Sequence, residues 1–368
     1  PLARHLWLNA QPIAGHCNKQ EIMTVLQRVS VTGGQGFLGA YVIKELLAKG
    51  AVVESLDLKE APDILGQVLS EEELGRFTTK LVDVADSAKV KEAILNFKPT
   101  AVIHLAGVQI PTVRSNPALG VAVNLLGTVN VFEAVKALCA DGGAVVPVAY
   151  ASSGAVLGPS SDYSAGAPLP AERDYHRPRT MYGVFKLCNE GMARIYWQDH
   201  GIPSVGLRPL TIFGVGREIG LTSGPTKAVK AAILGRRFEI EVAGVTGFHH
   251  VADVARLFVE TLPGAVRCPG AHVSGVKGHV VSYEEFLQKA AQVVPEVSKL
   301  AWIRKGAPEV PIHGDVDEAP LHMLTQRDKI HMSLEEAIQE MAQRYQDLKA
   351  RGKLSDKDLG TEPPVSKL

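Results

Sequence analysis

A glycine-rich segment directly follows an apolar run near the start of the chain, and it constrains the fold more than any other feature. Residues 29–39 read Val-Ser-Val-Thr-Gly-Gly-Gln-Gly-Phe-Leu-Gly, with glycines at 33, 36 and 39. Glycine permits a tight turn and a close approach of a ligand to the backbone, and the N-terminus of a following helix favours phosphate. The segment therefore predicts a strand, a pyrophosphate-binding turn and a helix. The predicted contacts are Gly33, Gly36, Phe37 and Leu38.

Short apolar runs alternate with amphipathic helical patterns through the first half of the chain. This alternation is typical of a parallel sheet with helices on both faces. The predicted strands are 28–32, 52–57, 79–83, 101–106, 144–152 and 204–209, and the predicted helices are 37–49, 87–96, 119–140 and 181–200. We expect an α/β fold with a Rossmann-type doubly wound parallel sheet.

The alternation loosens after Pro209, where further helical patterns cover 222–234, 251–262, 282–293 and 334–349. We expect a smaller, partly interleaved C-terminal substrate lobe. The predicted divisions are an N-terminal extension at 1–22, the dinucleotide-binding domain at 23–210, the lobe at 211–350 with 248–262 returning to the first domain, and a flexible tail at 351–368.

Composition excludes several classes of partner. Lys and Arg total 39, as do Asp and Glu, so the basic excess typical of nucleic-acid binding is absent from the sequence. No uninterrupted apolar run approaches the roughly 20 residues that span a bilayer, and no secretory signal pattern opens the chain. The 4 cysteines are far apart without a CxxC pair, which favours reduced thiols and no metal site. We therefore expect a cytoplasmic protein.

Acidic and small residues at the predicted strand ends indicate how a dinucleotide binds. Asp57 ends the second strand, where a carboxylate accepts hydrogen bonds from ribose hydroxyls and repels a 2′-phosphate. This favours NAD over NADP, although Lys59 lies close by and weakens the preference. The ends of the third and fourth strands add candidate contacts with the adenine and the dinucleotide backbone. These are Asp83, Val84, Leu105, Ala106 and Gly107.

Tyr182 and Lys186 lie four residues apart, on one face of a predicted helix. An ammonium group near a phenol lowers the phenol pKa, so Tyr182 could exchange a proton with a substrate while hydride moves to or from a nicotinamide. Alone, this spacing is as typical of a surface helix pair. Support comes from Ser152 and Ser153 at the end of the preceding strand, since a hydroxyl there could bond the same substrate oxygen.

Together these motifs resemble the short-chain dehydrogenase/reductase superfamily, and in particular its extended, epimerase-like branch. The resemblance covers roughly residues 29–258 and includes the Leu-Arg-Pro segment that ends at Pro209. It implies NAD as cofactor, with Pro209 among its contacts. It also implies that Tyr182 is the acid/base, that Lys186 holds the nicotinamide ribose, and that Ser153 polarises the substrate oxygen.

The same resemblance assigns two supporting features. The family's Ser-x-x-x-x-Gly pattern, which ends here at Gly158, selects Ser153 over Ser152. Asn124 matches a position that supports the active site by fixing backbone or water, and we group it with the catalytic residues. Proteins of this branch are commonly homodimers through two long helices, here 119–140 and 181–200. The apolar residues of the second helix cover more than one of its faces.

Departures from the family pattern narrow the chemistry. Dehydratases of this branch have Asp and Glu where this chain has Gly154 and Ala155, so elimination of water is disfavoured. Nucleotide-sugar epimerases usually have Arg at the position of Thr246 and tend to have Asn within the segment 210–212, here Leu-Thr-Ile. Two side chains that would donate hydrogen bonds to a diphosphate are thus missing. We infer a smaller substrate without a nucleotide.

Several polar residues could contact such a substrate. Arg217 or Arg114 could clamp a carboxylate, although a solvated or ion-paired arginine is the commoner outcome for each of them singly. His249 and His250 are adjacent, so at most one faces the site, and packed core histidines are the commoner outcome. The candidate substrate contacts are Gln109, Arg114, Ser153, Gly154, Arg217 and Thr222.

Three functions remain open at this point. The first is an NAD-dependent dehydrogenase of a small hydroxyl or carbonyl substrate, for instance a sugar acid or hydroxy acid. The second is an NAD-dependent sugar epimerase. The third is a non-catalytic, nucleotide-sensing Rossmann protein, which is disfavoured because binding alone needs none of Ser153, Tyr182 and Lys186.

Overall fold

A parallel sheet of seven strands forms the centre of the computed structural model, which describes residues 24–142, 145–163, 176–327 and 331–363. The predicted extension at 1–22 lies outside these residues. The strands are β1 (Arg28–Thr32), β2 (Val52–Asp57), β3 (Phe77–Leu81), β4 (Ala101–His104), β5 (Val148–Ala151), β6 (Ser204–Arg208) and β10 (Ala271–Gly275). Their order is β10-β6-β5-β4-β1-β2-β3, and all neighbours are parallel. The order reverses at β1, as in a doubly wound sheet.

Helices cover both faces of this sheet and confirm the predicted fold class. One face holds α4 (Ser87–Phe97), α7 (Gly127–Gly142) and α8 (Met181–His200); the other holds α1 (Phe37–Ala48) and α10 (Val251–Arg267). Short helices α2 (Pro62–Val68), α3 (Glu71–Leu74), α5 (Ile110–Ser115) and α6 (Pro117–Gly120) lie in the connections. A π-helical segment, Val121–Leu126, joins α6 to α7.

Three strands of the central sheet differ most from prediction. The fifth covers only Val148–Ala151 and not the predicted 144–152, and the other two have weak apolar patterns. The third strand begins at Phe77, two residues before the predicted start, because edge strand β3 is mostly exposed and lacks a buried run. The sequence pattern does not predict β10, which is only five residues long and pairs with β6 after the chain has returned from the lobe.

The C-terminal lobe contains two small sheets and their helices. Its strands are β7 (Thr211–Phe213), β8 (Phe238–Ile240), β9 (Val245–His250), β11 (His279–Ser282) and β12 (Ala301–Ile303). Its helices are α9 (Gly224–Leu234), α11 (Tyr283–Val293), α12 (Val297–Leu300), α13 (Ala319–Thr325) and α14 (Leu334–Ala350). Helix α10, within the segment predicted to return, packs on α1. The exact domain boundary stays a prediction.

Residues 351–363, part of the predicted flexible tail, are attached to the lobe near α9. Asp356 pairs with Arg236 at 2.6 Å, and Asp358 pairs with Lys230 at 2.5 Å. Polar residues that look solvated in the sequence thus find opposite charges in a distant part of the chain.

The continuous helical segment Pro117–Asp141 is long and apolar enough to cross a membrane by length and composition alone. Half of its most apolar stretch is buried inside the protein, and core helices pass the same test. Polar residues such as Asn124 and Glu133 interrupt the apolar run, so the sequence pattern alone does not indicate a membrane span.

Candidate active site

The turn between β1 and α1 has the geometry that a pyrophosphate requires. Gly33 has a φ of +72°, and a Cβ there would lie 2.7 Å from the backbone nitrogen of Ala106. A Cβ on Gly39 would lie 2.2 Å from the carbonyl oxygen of Gly33. Helix α1 begins after Gly36 without a side-chain cap, so its first N–H groups, including those of Phe37 and Leu38, point freely from the positive end of the helix.

Asp57 is held beside this turn at the end of β2. Its two carboxylate oxygens accept hydrogen bonds from the backbone N–H groups of Gln35 at 3.0 Å and Leu58 at 2.8 Å. Burial raises the pKa of the Asp57 carboxyl, while those N–H groups and Lys59 oppose the shift. The carboxylate is therefore fixed where it can accept hydrogen bonds from ribose hydroxyls.

Backbone hydrogen bonds align the ends of β1 and β4 behind the turn. Leu105 donates its N–H to the Thr32 carbonyl at 3.0 Å, and Ala106 donates its N–H to Thr32 Oγ1 at 3.3 Å. Gly107 follows and is exposed, and a Cβ there would lie 3.0 Å from Asn124 Oδ1. The backbone at 105–107 is thus fixed at the sheet edge where a dinucleotide would lie.

The other predicted cofactor residues lie at the ends of neighbouring strands. Asp83 is exposed and accepts from the Ala85 N–H at 2.9 Å. The Val84 carbonyl accepts from Asn130 Nδ2 at 2.8 Å. The Pro209 carbonyl accepts from the Gly154 N–H at 2.9 Å. Their contacts with a cofactor stay predictions.

Replacing Asp57 by Asn is expected to erode the preference for NAD over NADP. The substitution keeps the size of the side chain and one of its two acceptor oxygens, but it removes the charge that repels a 2′-phosphate. Titration of the native protein and the variant with NADH and NADPH measures the change. A native protein that prefers NADPH would contradict the role of Asp57 and would point to Lys59 as a phosphate contact.

His104, to which the sequence analysis assigns no role, connects the cofactor turn to the helix behind it. Its Nδ1 lies 2.7 Å from Thr32 Oγ1 and its Nε2 lies 3.1 Å from Thr128 Oγ1. Burial, together with the charge of Lys186, lowers the His104 pKa to about 3, so the ring is neutral. A polar residue at the end of an apolar strand was the available signal.

Close packing of α8 brings Tyr182 to the end of β5. Helix α8 begins after Thr180, whose hydroxyl accepts from the Gly183 N–H at 3.0 Å. A Cβ on Gly183 would lie 2.3 Å from the carbonyl oxygen of Ala155, so only glycine permits this approach. Burial raises the Tyr182 pKa, while a hydrogen bond with Ser153 and the charge of Arg217 act in the opposite direction.

Lys186 lies one turn further along α8. Its ammonium donates to the carbonyl oxygen of Ala151 at 2.7 Å and lies 5.5 Å from the centre of the Tyr182 ring. Burial lowers the Lys186 pKa to about 8, and Glu190 opposes the shift. The predicted Tyr/Lys pair therefore shares one buried face with the end of β5.

The two serines after β5 have different surroundings. Ser152 is buried and donates its hydroxyl proton to Glu190, which also pairs with Arg208 at 2.7 Å. Ser153 begins a short 3₁₀ turn, Gly154–Val156, by accepting from the Ala155 N–H at 3.2 Å. Ser153, not Ser152, is thus available to a substrate, in agreement with the choice made from the sequence.

Asn124 uses both ends of its amide on one neighbouring residue. Its Oδ1 accepts from the Val108 N–H at 2.8 Å, and its Nδ2 donates to the Val108 carbonyl at 2.9 Å. Asn124 therefore fixes the backbone after β4, as the resemblance implies. These two bonds give Asn124 a positioning role, and its grouping with the catalytic residues stays a prediction.

Three of the predicted substrate contacts converge on Gly220. Arg217 Nη2 lies 3.3 Å from Thr222 Oγ1. A Cβ on Gly220, whose φ is +117°, would lie 2.2 Å from Gln109 Oε1 and 2.9 Å from Arg217 Nη2. Arg114 is exposed on α5 and belongs to none of these contacts, so the structure favours Arg217 of the two candidate arginines.

Arg217 is a cation without an acidic partner among the described residues. Its guanidinium lies 5.6 Å from the centre of the Phe37 ring, and its Nε has no hydrogen-bond partner within that part of the chain. Burial lowers the Arg217 pKa, while Tyr182 and Tyr283 raise it. An anionic substrate group beside Tyr182 would satisfy this charge.

The segment 210–212 and Thr246, which both depart from the epimerase pattern, contact each other through Thr211. The hydroxyls of Thr211 and Thr246 lie 3.1 Å apart, and both residues are fully buried. The phenol of Tyr283, which sequence reasoning missed, lies against Thr211 and is also fully buried. A Cβ on Gly154 would lie 2.3 Å from Leu210 Cδ2, so the aspartate of a dehydratase at this position would require the Leu210 side chain to move.

Both adjacent histidines are buried, as expected for packed core residues. His249 Nε2 accepts from the Leu210 N–H at 3.0 Å, and burial lowers the His249 pKa. His250 Nε2 lies 2.8 Å from Glu340. Within the described ranges, no group of three or more His, Cys, Asp or Glu side chains could hold a metal ion.

The fold and the site together define a dinucleotide-dependent enzyme of the extended short-chain dehydrogenase type. The defining features are the doubly wound sheet, the glycine turn before the N-terminus of α1, the carboxylate of Asp57 and the Tyr182/Lys186 pair. The chain belongs to the NAD dependent epimerase/dehydratase family, whose model matches residues 29–268. The predictions of an enzyme and of NAD as its cofactor are thereby confirmed.

Similar proteins differ in their reactions. GDP-6-deoxy-D-mannose reductase of Pseudomonas aeruginosa is 28% identical over 278 residues, which cover 74% of this chain and 82% of that protein. Mitochondrial L-threonine 3-dehydrogenase of Bos taurus is 26% identical over 278 residues, which cover 74% of this chain and 69% of that protein. The structure of UDP-glucose 4-epimerase of Thermus thermophilus in complex with NAD matches this chain with a TM-score of 0.69 at 24% identity. The match covers 87% of this chain and 99% of that one. Family membership therefore leaves the substrate open.

Proposed function

We propose that this protein is an NAD-dependent dehydrogenase or reductase of a small hydroxy acid or sugar acid. The observation that supports this most is Arg217, a cation beside Tyr182 without an acidic partner among the described residues. The mutual contact of Thr211 and Thr246 adds support, because it leaves neither position free to hold a nucleotide diphosphate.

In the proposed reaction, Arg217 binds the substrate carboxylate and Ser153 donates a hydrogen bond to the reacting oxygen. Tyr182 removes the hydroxyl proton during oxidation and returns it during reduction. The Lys186 ammonium, 5.5 Å from the centre of the Tyr182 ring, stabilises the phenolate as it forms. Ser153 and Arg217 oppose the effect of burial on the Tyr182 pKa. NAD, when bound, supplies or accepts the hydride.

A sugar epimerase is the alternative, and the similarity to a UDP-glucose 4-epimerase of Mycolicibacterium smegmatis favours it. An epimerase must hold its oxidised intermediate while presenting the other face to the cofactor, and a nucleotide usually does this holding. A dehydrogenase needs only one pose. The residues at 211 and 246 therefore fit the first function better.

The experiment is to incubate the protein with NAD and separate panels of hydroxy acids, sugar acids, simple alcohols and nucleotide sugars. We expect NADH formation with one of the two acid panels. Activity confined to nucleotide sugars would contradict the proposal.

We also propose a homodimer through α8 and the segment before α7. Large apolar side chains are exposed on both, and a solvent-exposed patch of this kind favours association. They are Leu119, Val121, Leu126, Met181, Val184 and Ile195. Phe185, another apolar residue of α8, is not part of this patch, because it is buried against Gly120.

Light scattering at micromolar concentration is expected to give the mass of a dimer. Ile195→Glu places a charge in this patch and is expected to produce a monomer that still binds NAD. A native protein that is monomeric at this concentration would contradict the proposed assembly.

Localisation to the cytoplasm stays a prediction.

A further inference from the structure

The loop at 214–223, between β7 and α9, contains Arg217 and is held by distant parts of the chain. The Tyr41 hydroxyl donates to the Val215 carbonyl at 3.2 Å, and the Tyr345 hydroxyl bonds the backbone of Gly216. Gln67 Nε2 donates to Glu218 Oε1 at 3.2 Å. Glu218 follows Arg217 directly, so contacts that hold Glu218 also hold the backbone from which the Arg217 side chain extends.

A buried lysine connects Glu218 to the C-terminal segment. Lys230, on α9, is 1% exposed. Its ammonium lies 2.5 Å from Asp358 Oδ1 and 3.9 Å from Glu218 Oε1. Lys227 adds a second link, since its ammonium donates to the Asp358 carbonyl at 2.5 Å. The charge of a buried lysine must be balanced, and here one carboxylate comes from each side.

We propose that Asp358, acting through Lys230 and Glu218, positions Arg217 for the substrate carboxylate. This inference rests on the proposed function. Without the Asp358 charge, Glu218 is the one anionic partner left to Lys230 among the described residues, and the stronger attraction between the two displaces the loop. A misplacement of about 1 Å in a substrate-positioning group can cost up to about 100-fold in activity. Asp358 is thus a positioning residue that affects substrate binding more than the chemical step.

The test compares Asp358→Asn with Asp356→Asn, in steady-state kinetics with the acid that the substrate panels identify. Asp356 is the matched control because it lies on the same segment, and its partner Arg236 is not part of the ion pairs that reach Glu218. We expect Asp358→Asn to raise KM about 10-fold, with kcat and the Kd for NAD within about twofold. The control is expected to stay within about twofold in all three quantities.

Glu218→Gln keeps the acceptor for Gln67 but removes the charge that attracts Lys230, and it serves if Asp358→Asn does not fold. It is also expected to raise KM, and the double variant should show less than the product of the two effects, since both act on one network. An unchanged KM in these variants, or a parallel change in the Kd for NAD, would overturn the inference. If KM is unchanged in Arg217→Met as well, the proposed function is wrong. If KM rises in Arg217→Met but not in the Asp358 and Glu218 variants, the proposed function stands and only the inference about Asp358 is wrong.

Discussion

Tyr182→Phe is expected to lower kcat by about 100- to 10,000-fold, the range typical of losing a positioned acid/base. The substitution removes only the phenol oxygen, which lies against Ser153 and near Arg217. The ring and its packing between α8 and the turn after β5 stay. The Kd for NAD is therefore expected to stay within about twofold, and the comparison of kcat with NAD binding separates chemistry from folding.

Tyr196→Phe is the matched control for this variant. Tyr196 lies on the same helix, but its hydroxyl donates to Glu133 at 2.8 Å, away from the site. Near-native turnover is expected for Tyr196→Phe. Near-native turnover in Tyr182→Phe would exclude the mechanism. Ser153→Ala should slow turnover more than it weakens NAD binding, whereas Lys186→Met should impair both.

Arg217→Met is expected to lower kcat/KM for the acid substrate by about 30-fold or more, because truncating one partner of a desolvated charge pair costs roughly 2–5 kcal/mol. The effect should be specific to the carboxylate. An uncharged alcohol of the same size is expected to lose little, since it makes no ion pair with the guanidinium. Steady-state kinetics with the acid and the alcohol measure the difference.

Arg114→Met tests the other arginine that the sequence suggests. Because Arg114 is exposed and lies apart from the cluster at Gly220, the change in kcat/KM is expected to stay within about twofold. A large loss in Arg114→Met, with none in Arg217→Met, would show that the carboxylate binds on the Arg114 side of the pocket.

Local sequence patterns predict the parts of the site that depend on short stretches of chain. The turn at Gly33 follows β1, and Asp57 is the last residue of β2. The observed bounds of both strands equal the predicted ones. Tyr182 and Lys186 share a helix face because of their spacing alone, and α8 spans the predicted residues. Such features need no knowledge of the rest of the fold.

Contacts between distant residues could not be predicted in this way. The approach of Gln109 to Arg217 requires the glycine at 220, and the pairing of Thr211 with Thr246 joins two strands of the lobe. The link between Lys230 and Asp358 joins the lobe to the last described segment. Hydrophobic periodicity does not indicate these partners, because it reports burial and not the identity of a neighbour.

The most direct test of the central claim is the ratio of NADH formed to substrate consumed, measured with catalytic amounts of protein and the acid identified in the panels. A dehydrogenase in which Tyr182 acts as the base and Arg217 holds the carboxylate should form one NADH for each molecule of acid oxidised. Conversion of a sugar to its stereoisomer, with no net NADH and with the acids unreactive, would contradict the account and assign the site to an epimerase.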